Sequence, residues 1–506
     1  MKNIELTNES AQVILSKMEA FKNEKNRLQL RIGVKNLGDG LACQAVLVNA
    51  GMMVDIGFKT TGVPTDFVKE AGTYFTINVS AANFISYIKA MLAYNANIEL
   101  AYDEQSTLYL QVANQARVSI ATSAERDPIL PCDHSSAYAM IKLETSKFLN
   151  AIKIGAFLAS NSADPRGVTD RVVFRILPNE IVVYSTDGFI MSKSWCEALA
   201  QFNKPNRCVA FLNAKLERLA ENTKPAFLEK LKNVATDPNA TVALAQEEGY
   251  KDGPLSIALP AASMSVLKTL FHGSENLNVM ITSGHMVVNA GNVLATFSLA
   301  GQASEIFAKS VDPWQNTQWS GQAVVDKETF VNALSIVRLS ASQLGEKKGS
   351  VPFHTSFQKK TMIVTDRLNN KVSVGLVASA GDLSRVDVHL DVEKVLNALG
   401  KLNNGNVVLR YFVNPDGKNY FPVSVSNGDI EGNGTTSFTY ILPVNIKKEQ
   451  PEAQDKNEEK KPAKGTTTET VPPNPSDSRS TVQESEDTDA QIPALPDPGF
   501  DEVMDQ

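Results

Sequence analysis

The 506-residue sequence is short of the features that mark several large protein classes. It has no apolar run of about 18 residues, so no membrane-spanning helix is expected, and Met1–Glu5 lacks the apolar stretch of a signal peptide. Its four cysteines, Cys43, Cys132, Cys196 and Cys208, are scattered without C-x-x-C spacing and read as reduced thiols in a cytosolic protein. The five histidines (His134, His272, His285, His354, His389) form no H-E-x-x-H or Cys/His cluster, so no metal site is expected. There is no G-x-x-x-x-G-K-[ST] and no G-x-S-x-G. These absences argue against a catalytic protein, although carboxylates that converge only in the fold would escape such a search.

Charge is also missing from where the totals suggest it. The net charge is −7, yet residues 447–506 hold 7 Lys+Arg against 15 Asp+Glu, which leaves 42 basic and 41 acidic residues in 1–446. The body is near neutral and the acidity sits in a tail. With eight prolines and one aromatic residue, Phe500, that tail lacks the apolar surface to offset its ordering entropy and is expected to be disordered. One apolar island, Gln491-Ile492-Pro493-Ala494-Leu495, reads equally as a docking motif or as a chance cluster in a linker.

What is present is a six-fold repeat. An apolar-apolar-x-x-apolar core recurs as Ile14-Leu15/Met18, Phe84-Ile85/Ile88, Phe148-Leu149/Ile152, Val266-Leu267/Leu270, Phe330-Val331/Leu334 and Val395-Leu396/Leu399. Positions i, i+1 and i+4 share one helical stripe, so each copy predicts a short amphipathic helix with one buried face. Ser10, Ser80, Asp326 and Asp391 stand where N-caps belong, with Glu144 (or Thr145) and Ala262 at the other two starts. The anchors are spaced 70, 64, 118, 64 and 65 residues apart, and the long gap predicts an insertion at about 196–253 with one or two surface helices around 211–219 and 227–231.

Alternating segments such as 97–102, 107–112, 172–176 and 180–184 predict strands, with a turn at Asn414-Pro415-Asp416-Gly417. The expected fold is therefore α+β: six units of one helix and about four antiparallel strands, paired into three similar domains.

If each helix buries i, i+1 and i+4, positions i−1, i+2 and i+6 point away from the sheet. Those 18 positions hold four lysines (Lys147, Lys268, Lys394, Lys401) and no carboxylate. Small polar side chains with scattered lysines suit a surface that meets phosphates without reading bases.

With this plan in view, residues 1–446 resemble the bacterial sliding clamp, the beta subunit of the replicative DNA polymerase III. Ser160-Asn161-Ser162-Ala163-Asp164-Pro165-Arg166 resembles the family's loop after the third helix. Tyr184-Ser185-Thr186-Asp187-Gly188 resembles its A-T-D-G turn, and Tyr440-Ile441-Leu442-Pro443-Val444-Asn445-Ile446 its closing V-M-P-[MV]-R-[LI].

The resemblance implies a three-domain clamp fold (1–137, 138–319 with the insertion, 320–446, then the 447–506 tail). Two chains would form a ring around double-stranded DNA, without sequence specificity. No catalysis and no cofactor are implied, and the location would be cytoplasmic and nucleoid-associated, away from membranes. It implies DNA-facing roles for Lys25, Arg27, Lys147, Arg166, Lys268, Lys394 and Lys401. A pocket for short peptides of the polymerase and clamp loader would use Val168, Thr169, Thr186, Gly188, Phe189, Ile190, Met191, Pro313, Ile441, Leu442, Pro443 and Val444. Ring closure would use Val118, Ile120, Val337 and Leu339.

Phe189-Ile190-Met191 replaces the family's His-Arg-Leu, and Asn445 its terminal Arg. These departures imply altered peptide specificity in a divergent member, compatible with phage origin. The tail would fold back, placing Gln491–Leu495 as a tethered competitor for the pocket. Two alternatives stay open: a clamp-fold scaffold that binds partners without encircling DNA, and a nucleic-acid enzyme on a repeat scaffold.

Overall fold

The computed structural model describes residues 2–19, 29–36, 41–49, 51–61, 72–103, 107–113, 115–122, 134–162, 164, 168–300, 319–343, 351–403, 405–412, 422–429, 431 and 435–444. Residues 1–446 form one compact unit. The expectations for the 414–417 turn and for the tail lie outside the described residues.

Six times, one strand leads into a helix and three strands follow. The first unit is β1 (Lys2–Leu6), α1 (Asn8–Met18), β2 (Gln29–Asn36), β3 (Leu41–Asn49) and β4 (Met52–Gly57), with a two-residue β5 (Thr60–Thr61). The second is β6 (Gly72–Ser80), α2 (Ala81–Leu92), β7 (Ile98–Asp103), β8 (Thr107–Val112) and β9 (Ala116–Ala121). The third is β10 (Ala139–Glu144), α3 (Thr145–Gly155), β11 (Arg171–Ile176), β12 (Glu180–Thr186) and β13 (Ile190–Glu197).

Before the fourth unit come β14 (Leu199–Phe202) and the helices α4 (Lys204–Arg218), α5 (Lys224–Val234) and α6 (Pro238–Glu247). The fourth unit is β15 (Leu255–Pro260), α7 (Ala262–Phe271), β16 (Asn276–Ile281), β17 (His285–Ala290) and β18 (Val293–Ser298). The fifth is β19 (Gly321–Asp326), α8 (Lys327–Gln343), β20 (Pro352–Gln358), β21 (Thr361–Thr365) and β22 (Lys371–Gly381). The sixth is β23 (Val388–Asp391), α9 (Val392–Lys401), β24 (Asn406–Tyr411), β25 (Val423–Ser426) and β26 (Ser437–Ile441).

The period holds four strands, as expected, but the helix sits second in each unit rather than first. The six anchors Ile14, Phe84, Phe148, Val266, Phe330 and Val395 are each at most 3% exposed, and burying side chains of this size stabilises by roughly 1.5–3 kcal/mol apiece.

The caps follow the expectation in part. The Asp326 carboxylate accepts the Thr329 N–H at 2.8 Å, and Asp391 accepts the Lys394 N–H at 3.0 Å. Ser80 and Glu144 flank their helices without a side-chain cap. At α1 the cap is Thr7, whose hydroxyl accepts the Ser10 N–H at 3.1 Å. Ser10 lies inside the helix and donates to the Lys59 carbonyl at 2.7 Å.

The insertion has three helices where one or two were expected. Each begins with proline in its first turn, and Asn203 and Asp237 cap α4 and α6. The missed helix, α6, is Ala-rich with a weak apolar stripe. The three share a small core of Cys208, Leu212, Phe227, Leu244 and Ala245.

Among the described residues all strand pairs are antiparallel, in three sheets: β5-β1-β7-β8-β9; β14-β10-β16-β17-β18-β4-β3-β2-β6; and β15-β11-β12-β13-β26-β25-β24-β19-β22-β21-β20-β23. Two seams join distant parts of the chain. β18 pairs with β4 (Val293 opposite Ile56), and β13 pairs with β26 (Ile190 opposite Ile441).

The first four units share one core. The last two share another, which also takes in Ile154 and Ile190 from the third unit. Ile154 was expected to face outward. It is 1% exposed because the second core closes over the end of α3. That end is held tightly: Ser185 Oγ donates to the Gly155 carbonyl at 2.7 Å and Ser192 Oγ to the Ile154 carbonyl at 2.6 Å. A Cβ at Gly155 would stand 2.7 Å from the Val183 Cβ, so the close approach of α3 to β12 requires glycine.

Candidate functional site

Five of the six repeat helices carry a lysine in the last turn: Lys17, Lys89, Lys153, Lys268 and Lys401. Cations are favoured there because the helix dipole and its unpaired carbonyls are negative. Two of the five are engaged. Lys17 donates to the Leu270 carbonyl of α7, where burial lowers its pKa, and Lys89 pairs with Glu19 at 2.7 Å.

The other three converge. α3 packs against α7, and the Lys401 Nζ lies 5.8 Å from the ring centroid of Phe157, just beyond α3. Burial lowers the Lys268 ammonium pKa, and repulsion from Lys401 and Lys153 lowers it further. Among the described residues, no carboxylate pairs with any of these three. Lys268 and Lys401 were expected to serve this face. Lys153 was missed, because it stands at i+5 of its repeat, outside the positions sampled.

Two more of the expected DNA-facing residues, Lys147 and Lys394, have neighbours within the chain. Lys147 is held by Glu197 at 2.8 Å and Glu144 at 3.4 Å, and those bonds raise its pKa. It is therefore neutralised within the chain. Lys394 lies 4.0 Å from the Phe189 ring centroid and so belongs to the second feature described below. Lys25, Arg27 and Arg166 lie outside the described residues.

That second feature is an apolar lip built on the turn between β12 and β13. Thr186 Oγ1 donates to the Ile190 carbonyl at 2.6 Å and accepts the Gly188 N–H at 3.0 Å. Asp187 Oδ1 accepts the N–H groups of Phe189 (2.8 Å) and Ile190 (2.7 Å), and Gly188 takes φ +93°. The turn thus folds Ile190 into the core and leaves the Phe189 ring 62% exposed.

The end of the body runs beside it. Leu442, also exposed, donates its N–H to the Phe189 carbonyl at 3.2 Å, and Val444 donates to the His389 carbonyl at 2.8 Å. Of the other expected pocket residues, Thr186 and Ile441 are buried, while Val168 and Met191 pack partly buried against the cluster of Val173, Val182, Tyr184, Ala258 and Tyr440. Thr169 is bound to Asp164 at 2.9 Å, and Pro443 is half-buried. Pro313 lies outside the described residues.

Of the expected ring-closure residues, Ile120 (3% exposed) and Val337 (2%) belong to their own cores, which corrects that assignment. Val118 is half-buried and Leu339 is 68% exposed. Val118 lies on β9, which pairs along its length only with β8 among the described strands. Residues 371–375 of β22 likewise pair only with β21.

A polar cleft of about 390 Å³ beside β20 and β23 includes His354, Asp366, Asp387 and His389. Burial, then the neighbouring His354, holds His389 below its usual pKa, with Asp387 opposing. Among the described residues, no group of three or more His, Cys, Asp or Glu could hold a metal ion. Cys43, Cys196 and Cys208 are unpaired and buried, and burial pushes the Cys196 thiol up to about 12. No described helix is long and apolar enough to cross a membrane.

The arrangement of six strand–helix–three-strand units is that of the bacterial DNA clamps. The chain is similar to the DNA polymerase III beta subunit of Thermotoga maritima (11% identity, TM-score 0.61) and to the DNA polymerase sliding clamps of Bacillus subtilis (14%, 0.60) and Pseudomonas aeruginosa (11%, 0.62). Each match covers 88% of this chain and 100% of the other. No family model and no curated protein matches the sequence.

Proposed function

We propose that this protein is a DNA sliding clamp. Two copies close into a ring on duplex DNA and tether a replicative polymerase to it, with no catalytic step and no cofactor. The observation that carries the reading is the convergence of Lys153, Lys268 and Lys401, with no carboxylate paired to them among the described residues, on the helices of a clamp fold. Such a face attracts phosphate through charge alone and holds no base, which suits sliding.

Residues 1–137, 138–319 and 320–446 act as the three clamp domains. The strand edges at β9 and at 371–375 of β22 supply the ring joint by β-addition, with Val118 and Leu339 beside it. Phe189 and Leu442, with Lys394 alongside, form the lip that takes apolar peptide segments of the polymerase and clamp loader. Lys394 favours a peptide with a carboxylate near its apolar residues.

Primer extension on a long singly primed template tests the proposal. Addition of the protein and its loader should lengthen the products of a single binding event, and negative-stain images should show closed rings. Partner binding through the lip without any gain in processivity would instead make the protein a clamp-fold scaffold.

A further inference from the structure

One residue serves two parts of the body at once. β23 is the edge strand of the twelve-stranded sheet, paired with β20, and there His389 stands directly opposite His354. The two imidazole rings lie 5.0 Å apart, and His354 Nε2 is hydrogen-bonded to the Asp387 carboxylate. The carbonyl of the same His389 accepts the Val444 N–H at 2.8 Å. Two residues earlier, Leu442 donates to the Phe189 carbonyl. The short segment that forms one half of the apolar lip is thus tied to the backbone of a histidine whose ring lies in the polar cleft.

The charges around that ring serve a proton on it poorly. Asp387 is already engaged by His354, and Asp366 takes both the N–H and the side-chain amide of Asn370 at 2.8 Å. Arg367 also lines the cleft and carries the same sign as an imidazolium. Asp391, two residues along β23, accepts the Lys394 N–H at 3.0 Å. On α9, which follows the strand, Glu393 pairs with Arg338 at 2.7 Å and Lys394 lies over Phe189. A proton on His389 would therefore set two imidazoles in competition for one carboxylate at a half-buried position.

We propose that the His354–His389 pair is a proton-operated latch on the lip: while His389 is neutral, β23 holds the 442–444 segment in place, and a proton on His389 releases it. Peptide capture as the property controlled rests on the function proposed above; the latch itself does not. The latched form takes up the proton less readily than the released form, so acid favours release. The change sets in as pH falls below the ordinary histidine value of about 6.5.

Hydrogen exchange on the full-length protein tests the latch without any partner. Corrected for the intrinsic pH dependence of exchange, protection of the Leu442 and Val444 amides should fall roughly tenfold between about pH 7.5 and about pH 5.5, the effect of a one-unit difference in proton affinity. The amides of β26 should keep their protection. His389→Gln should abolish the fall, and His354→Gln should shrink it. No fall in the unaltered protein, a fall that spreads through β26, or an equal fall in His354→Gln would each overturn the proposal. The His354→Gln comparison decides it even where the other variant does not fold.

A second arm separates this inference from the function. The probe is a labelled pentapeptide of leucine and phenylalanine with one aspartate, followed by fluorescence anisotropy over the same pH range. Its affinity should weaken by the same factor, because its own carboxylate titrates well below that range, at about 3.9. Unchanged affinity alongside the fall in protection would overturn the coupling of latch to lip and leave the peptide reading standing. A fall in protection with no peptide binding at any pH would leave the latch standing and sink the peptide reading.

Discussion

The helices of the insertion and the converging ends of α3, α7 and α9 use lysine in opposite ways. In the insertion, Lys204 pairs with Asp252 at 2.6 Å, Lys224 with Glu221 at 2.6 Å, and Lys215 and Lys230 both with Glu248, at 2.8 and 3.2 Å. These four cations are answered locally, as expected of charges that serve the stability of their own helices. On α3, α7 and α9 the three converging lysines have no such answer among the described residues, and Lys268 bears the electrostatic cost. The helix dipole favours a cation at each of these helix ends but gives no reason to bring three of them together. The difference separates lysines paired within their own segment from lysines with no counter-charge among the described residues.

That contrast can be broken by experiment. The largest effect should come from Phe227→Ala, which empties the centre of the five-residue core beneath α4–α6. A loss of about 3–5 kcal/mol is expected there. Hydrogen exchange should show α4–α6 opening while the repeat sheets stay protected, and affinity for duplex DNA should hardly change. A large fall in DNA affinity would show that the insertion belongs to the binding face.

Next in size is the triple change Lys153→Gln, Lys268→Gln, Lys401→Gln. In fluorescence-anisotropy titrations of the tail-deleted protein, the slope of log affinity against log salt should fall in magnitude by about 2.7, near 0.9 per lost phosphate contact. Thermal stability should hold or rise slightly as the repulsion goes.

A smaller effect is expected at Glu248, whose carboxyl is held below its ordinary pKa by Lys215 first and then by Lys230. A depressed carboxylate stabilises above its unfolded pKa of about 4.3 and loses that contribution as pH falls through the lower folded value. Glu248→Gln should therefore cost under about 1 kcal/mol at pH 7, and the cost should shrink to nothing at acid pH in melts of α4–α6. The smallest effect belongs to Lys147→Gln. Because Glu197 and Glu144 already hold this lysine, its loss should leave the salt slope of DNA binding unchanged.

The repeat was legible in the sequence because each helix buries one stripe and the stripe recurs at an even spacing. Every anchor from Ile14 to Val395 lies in a core. What escaped depends on contacts between residues far apart in the chain. Ile154 sits on the outward stripe of α3 by periodicity alone, yet the second core covers it. Lys147 looked free until Glu197, fifty residues on, reached it. The neighbours of Lys153 and Lys394 were hidden for the same reason: helical position says which way a side chain leaves its own helix, not what the next helix or turn brings to meet it. The Thr186–Asp187–Gly188 turn was visible as a motif. Its result, an aromatic ring held in solvent beside Leu442, followed only from the hydrogen bonds of Asp187.

The two seams, β4 with β18 and β13 with β26, carry one more consequence. They join distant stretches of chain through main-chain N–H and C=O groups, which every residue except proline supplies in full. A joint of that kind has no side-chain identity to lose. Substitutions that keep the alternation of inward and outward residues leave both seams standing, so the sequence can drift almost completely while the architecture persists. An identity of 11–14% to clamps of the same fold is then the expected outcome of where the molecule keeps its joints.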